Sequence, residues 1–208
     1  HASISLAAYG NGANSVAVHG GIVATAVENV NKQADGQIVF FDTNGQYINA
    51  VPAGALPDNV VFSPNGKYVL AANEGEPNDD FTVDPEGSVT IVDLRRGVHH
   101  ISSNDVTQVK FTSFNHAMLD SSIRVSANPG SSSVAQDLEP EYITVSKNSR
   151  YAWVSLQENN ALAIIDIRRG KVKKLVGLGF KDHSLYGNGL DASNETAAID
   201  IANWPIKG

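Results

Sequence analysis

Eight consecutive residues, Asn73-Glu74-Gly75-Glu76-Pro77-Asn78-Asp79-Asp80, put four carboxylates into one short polar stretch. Glu139-Pro140-Glu141, Glu158 and Asp182 supply more acids further along. Clustered carboxylates repel one another unless a cation or solvent compensates. Hard oxygen donors on flexible loops suit Ca²⁺, and Mg²⁺ less well because it demands a near-ideal octahedron. The D-x-D-x-D-G spacing of an EF-hand is absent, so the expected metal ligands, Glu74, Glu76, Asp79, Asp80, Glu139, Glu141, Glu158 and Asp182, must be gathered by the fold. The stretch Phe180-Lys181-Asp182-His183-Ser184 adds Lys181 and His183, which could bind an anion beside a metal and are the candidates for a catalytic role. The plain alternative is a solvated acidic face, and for residues 180–191 a turn linking two strands.

Composition removes several other chemistries. The 208 residues include no Cys, which excludes a disulfide framework, a thiolate zinc site and a cysteine nucleophile. The net charge is −7 and no basic run is visible in the sequence, which argues against nucleic acid as a partner. No apolar stretch approaches the length that spans a membrane as a helix. There is no G-x-S-x-G elbow and no Walker loop. Asn194-Glu195-Thr196 satisfies the glycosylation sequon.

The elements that would carry these acids repeat. One unit covers 14–54, another 56–114 and a third 138–179. Each reads as strand, tight turn, strand, loop, strand, turn, with a fourth strand in some. Val60-Val61-Phe62, then Ser63-Pro64-Asn65-Gly66, then Lys67-Tyr68-Val69-Leu70-Ala71-Ala72 is a hairpin with Pro and Asn-Gly at its turn. No segment sustains a helical apolar stripe. An all-β chain of four-stranded units of about 40–45 residues is a β-propeller, one unit per blade. Residues 98–137 read as an outer strand around Gln108–Phe114 followed by a long loop over 115–137, and 180–208 as the start of a further blade. About four blades would leave a naked sheet edge. The expectation is a single partial domain of a larger, seven-bladed type of propeller, completed by further sequence or by another chain.

Blade geometry then sorts the charges. The first and third turns lie at one end of every blade; the second loop and the link to the next blade lie at the other. Lys67, Arg95, Arg96, Lys147, Arg150, Arg168, Arg169 and Lys171 fall at the first end. The acids named above fall at the opposite end, with Glu28, Asp35, Asp58, Asp84, Glu86, Asp137 and Asp191. Between Lys67 and Arg95 there are seven acids and no base.

The stretches ALPDNVVFSPNGKYVLAANEGEPNDDFTVDPEGSVTIVDL, LEPEYITVS, LQENNALAIIDI and LGFKDHSLYGNGLDASN resemble the choice-of-anchor I family, from about Asn14 to Lys207. These are exported propeller proteins related to mesenchyme-specific cell-surface glycoproteins, and many bacterial members are labelled alkaline phosphatase. The resemblance implies an extracellular, periplasmic or surface location and Ca²⁺ dependence. Two functions fit. One is a non-enzymatic surface propeller binding Ca²⁺ in adhesion, matrix or mineral contact. The other is a calcium-dependent phosphohydrolase, of alkaline phosphatase or phytase type, in which the carboxylates would hold metals and Lys181 and His183 would contact phosphate.

Overall fold

Short runs of β-branched and aromatic residues between turn signals become strands, and the computed structural model describes twelve of them. The structure describes residues 3–125, 132–193, 195 and 197–207. The chain forms two units, His1–Gly177 and Leu178–Gly208.

The larger unit holds three antiparallel four-stranded sheets, each built from strands in chain order. The first contains β1 (Gly12–His19), β2 (Ile22–Glu28), β3 (Asp35–Asp42) and β4 (Tyr47–Ala55). The second contains β5 (Pro57–Phe62), β6 (Tyr68–Asn73), β7 (Ser88–Asp93) and β8 (Val106–Lys110). The third contains β9 (Pro140–Val145), β10 (Tyr151–Leu156), β11 (Ala161–Asp166) and β12 (Lys171–Gly177). These are propeller blades. Their first strands neighbour one another, β1 beside β5 and β5 beside β9.

Alternation along each strand explains the stacking. On β6, Val69 and Ala71 join Ala24, Ala26, Ile38 and Phe40 of the first blade. Leu70 and Ala72 point the other way and pack with Ala152, Val154 and Ile165 of the third. A strand buried on both faces must be small and apolar throughout, as β6 is.

The inner strands are stitched by a repeated device. Ser15 Oγ on β1 accepts from the Val60 amide on β5 (3.1 Å). One blade on, Asn59 Oδ1 on β5 accepts from the Ile143 amide on β9 (3.1 Å). Asn59→Ala would strand the buried Ile143 N–H, so an expected loss of about 1–3 kcal/mol should appear as a lower urea midpoint at an unchanged m-value.

Two expectations shift. The outer strand of the second blade is Val106–Lys110 rather than Gln108–Phe114, because Phe111 leaves the β region and Thr112–Phe114 form a 3₁₀ turn. The stretch read as loop over 115–137 contains a one-turn helix, α1 (Val134–Asp137), capped reciprocally by Ser133 and Gln136. It returns to the core, where Ile123 and Ala135 are buried.

Within the smaller unit the described residues carry two isolated bridges, Asp182 with Lys207 and Leu190 with Ala202, and no extended strand. Asn194 and Thr196 of the sequon lie outside the described residues. No described helix is long and apolar enough to cross a membrane.

Candidate functional site: a carboxylate end of the blades

Strand parity carries the acids of the second loops and inter-blade links of the larger unit to one end. The β2–β3, β6–β7 and β10–β11 loops and both links between blades emerge there, because antiparallel strands reverse direction at every turn. Turn by turn, backbone bonds then fix individual carboxylates. The amides of Glu74 and Gly75 donate to the carbonyls of Leu56 (2.9 Å) and Ala55 (3.2 Å), zipping the start of the β6–β7 loop to the first inter-blade link. The amide of Glu139 donates to Asn159 Oδ1 (3.2 Å). Asn159 Nδ2 in turn donates to the carbonyls of Asp137 (2.7 Å) and Arg124 (3.0 Å). This one buried amide clamps the β10–β11 turn to the start of β9 and holds Glu158 beside Glu139.

The consequence is electrostatic. Glu139 is only 6% exposed, and its side chain is hydrogen-bonded to that of Glu158. Burial pushes the Glu139 carboxyl up to about 8, helped by the Glu158 hydrogen bond and by the charges of Glu158, Glu74 and Glu76. Burial likewise pushes Glu74 up to about 7, with Glu76, Asp58 and Glu141 adding repulsion and Lys32 opposing it. Glu141 and Asp58 are raised as well, chiefly by burial. Six carboxyl groups, Asp58, Glu74, Glu76, Glu139, Glu141 and Glu158, thus lie close enough for their charges to act on one another.

The remaining expected ligands are placed differently. Asp79 and Asp80 sit exposed at the loop tip. Asp80 closes its own turn by accepting from the Thr82 hydroxyl (2.7 Å) and amide (3.3 Å), which holds its carboxyl low. Asp182 belongs to the smaller unit, where it accepts from the Ser184 hydroxyl (2.6 Å) and amide (3.0 Å) and pairs with Lys207 at 3.3 Å. Lys181 is exposed in that same unit. The His183 ring Nδ1 meets the Asn188 carbonyl at 2.6 Å, a contact that braces the local turn.

Two residues that matter here escaped the sequence reading. Lys32, in the β2–β3 loop, pairs with Glu76 and is the cation facing the set. The blade rule could have found it, since that loop opens on the acidic end. Asn159 carries no signal of its own in the sequence, because a clamp is defined by the turns it joins.

Among the described residues, no three Asp, Glu or His side chains converge to hold a metal ion between them. Their chemistry fits a hard cation. Within the set, Glu158 is the acid hydrogen-bonded to the buried Glu139 carboxyl.

A family profile for the choice-of-anchor I domain matches residues 2–208. The chain belongs to the choice-of-anchor I family. Solved structures align with the chain at low identity. A eukaryotic initiation factor aligns at a TM-score of 0.50 and 13% identity, over 85% of this chain and 34% of that one. Hydrazine synthase of Kuenenia stuttgartiensis aligns at 0.48 and 16%, over 75% of this chain and 40% of that one. The Cps50 (Swd1) β-propeller domain of Myceliophteria thermophila aligns at 0.45 and 14%, over 79% and 41%. The chain therefore spans 34–41% of the length of these neighbours. No curated protein matches the chain.

Proposed function

We propose that this choice-of-anchor I chain is part of an exported, surface-attached propeller that takes up Ca²⁺ at its carboxylate end and uses that end in adhesive or matrix contact. The observation that carries this reading is the direct carboxyl contact of Glu139 with Glu158 inside a set of six acids drawn from separate loops and links. Glu139 and Glu158 would hold the cation, with Glu74 and Glu141 beside them, and bound Ca²⁺ would supply the positive charge the set lacks. A site with few protein ligands that leaves water on the ion belongs to the weak extracellular class, with Kd on the order of 0.1–1 mM.

Thermal unfolding at pH 8 tests this. Ten millimolar-range Ca²⁺ should raise the midpoint by about 3–6 °C, and chelator should reverse the gain. Glu158→Gln should abolish the response. An unchanged midpoint, or an equal shift in the Glu158→Gln protein, would remove the Ca²⁺ reading.

A further inference from the structure

The opposite end of the blades holds the basic residues, and they are not equivalent there. The second and third blades carry nearly the same turn after their third strand, Leu94-Arg95-Arg96-Gly97 and Ile167-Arg168-Arg169-Gly170. In the second blade both arginines are satisfied internally. Arg95 grips Asp93 through Nε (2.8 and 2.9 Å) and Nη2 and lies over the Tyr68 ring. Arg96 reaches Asp105 at 3.7 Å, a residue supplied by the capped 3₁₀ turn that follows. In the third blade β12 begins at Lys171, directly after the turn, so no such acid arrives.

What remains is a concentration of unneutralised positive charge. Arg150, Arg168 and Arg169 line a pocket of about 550 Å³ together with Asn148, Ser149 and Asp166. Lys147, Lys171 and Lys173 are exposed on the same turns and on the start of β12. Against these cations stands Asp166, whose Oδ1 accepts from the Arg169 amide (3.2 Å) and whose Oδ2 lies 3.9 Å from the Arg169 guanidinium. Among the described residues this is the only ion pair that any of these cations makes.

The frame beneath the charges is rigid. Ser146 Oγ accepts from the amides of Arg150 (3.1 Å) and Tyr151 (2.9 Å), and Ser149 takes φ 56° where the second blade has Gly66. The Ser149 hydroxyl accepts from the Asn65 amide of the second blade (3.1 Å). The Ile167 amide donates to the Arg150 carbonyl (3.1 Å), tying the two turns together. Arg150 and Lys173 both stack on the Tyr151 ring, at 5.0 and 4.6 Å from its centre.

We infer that this end of the third blade is a binding site for the tetrahedral oxyanion esters, sulfate or phosphate, of an anionic glycan. Guanidinium forks match such oxygens two at a time, and they are weakly hydrated enough to be desolvated. The flanking lysines extend the field past the pocket, as a polymer needs and a single free ion does not. Nucleic acid fits less well. Its bases want an open aromatic face, and Tyr151 is already covered by two cations.

The test is affinity of the 208-residue chain for a sulfated heparin oligosaccharide, a phosphorylated mannan and a single-stranded DNA oligonucleotide, each at low and high salt. Either glycan should bind at low salt and release at high salt, and the tighter of the two names the ester. Arg168→Gln and Arg150→Gln should each weaken binding about tenfold. Arg95→Gln and Arg96→Gln, whose parents are already paired, should change it less than twofold. Among the described residues the side chain of the exposed Arg168 makes no ion pair, so its variant keeps the fold and decides the matter if others do not. No glycan binding, equal losses from the paired arginines, or tighter binding of DNA would each overturn the inference.

Discussion

At pH 8 the Glu139→Gln protein should be more stable than its parent, and the two should converge near pH 4.5. Glu139 is raised by burial and by its neighbours to about 8, against an ordinary 4.5. The sign follows from proton counting. Between those values the unfolded chain has released the proton while the folded chain retains it, so stability falls as pH rises. Below 4.5 both states are protonated and the effect vanishes. Over the whole window the loss is on the order of 3 kcal/mol, with Glu74, raised to about 7, adding to it in the same direction. Glutamine keeps the shape, can donate to Glu158 as the protonated acid does, and has no proton to lose. Urea unfolding from pH 4.5 to 8.5 should give a falling curve for the parent and a flatter one for the variant. The Gln protein should also lose its response to Ca²⁺. Parallel curves would mean that Glu139 is ionised in the folded chain.

The second large effect is steric. Gly87 precedes β7 where the β6–β7 loop passes the start of the third blade, and a Cβ there would stand 1.9 Å from the Leu138 carbonyl oxygen and 2.7 Å from Pro140 Cδ. Both obstacles belong to the segment that holds Glu139, and neither is the end of a flexible chain. Gly87→Ala should cost about 2–4 kcal/mol, the range of serious overpacking. Because relief requires Leu138–Pro140 to move, the stability curve against pH should also flatten. Gly97→Ala makes a useful contrast. Its added carbon would meet nothing closer than His100 Cδ2 at 3.9 Å, although its φ of 85° still strains any side chain. A Gly87 variant as stable as the parent would show that the two blades do not press together there.

Much of the architecture was legible because propeller blades repeat. Ser63-Pro64-Asn65-Gly66 announced a hairpin, and the small apolar run of β6 announced a sheet buried on both faces. The polarity of charge followed from strand parity alone. The failures have physical causes. Phe111 is apolar enough to look like strand, yet the chain turns there so that its ring can fill the core under α1. The matching Arg-Arg-Gly turns are indistinguishable as text. Only the three-dimensional structure shows Arg95 closed on Asp93 and Arg96 on Asp105, while in the next blade Arg168 meets no acid and Arg169 stands 3.9 Å from Asp166. The Glu139–Glu158 contact depends on Asn159, whose partners Arg124 and Asp137 lie 35 and 22 residues away.

Proton release on adding Ca²⁺ tests the central claim most directly, because Ca²⁺ and the protons of the raised Glu139 and Glu74 carboxyls would compete for the same oxygens. In weakly buffered solution at pH 7, saturating Ca²⁺ should displace about one proton per chain, falling toward none at pH 9.5 and in the Glu139→Gln protein. Ca²⁺ uptake with no proton released at pH 7, or the same release from Glu139→Gln, would contradict it.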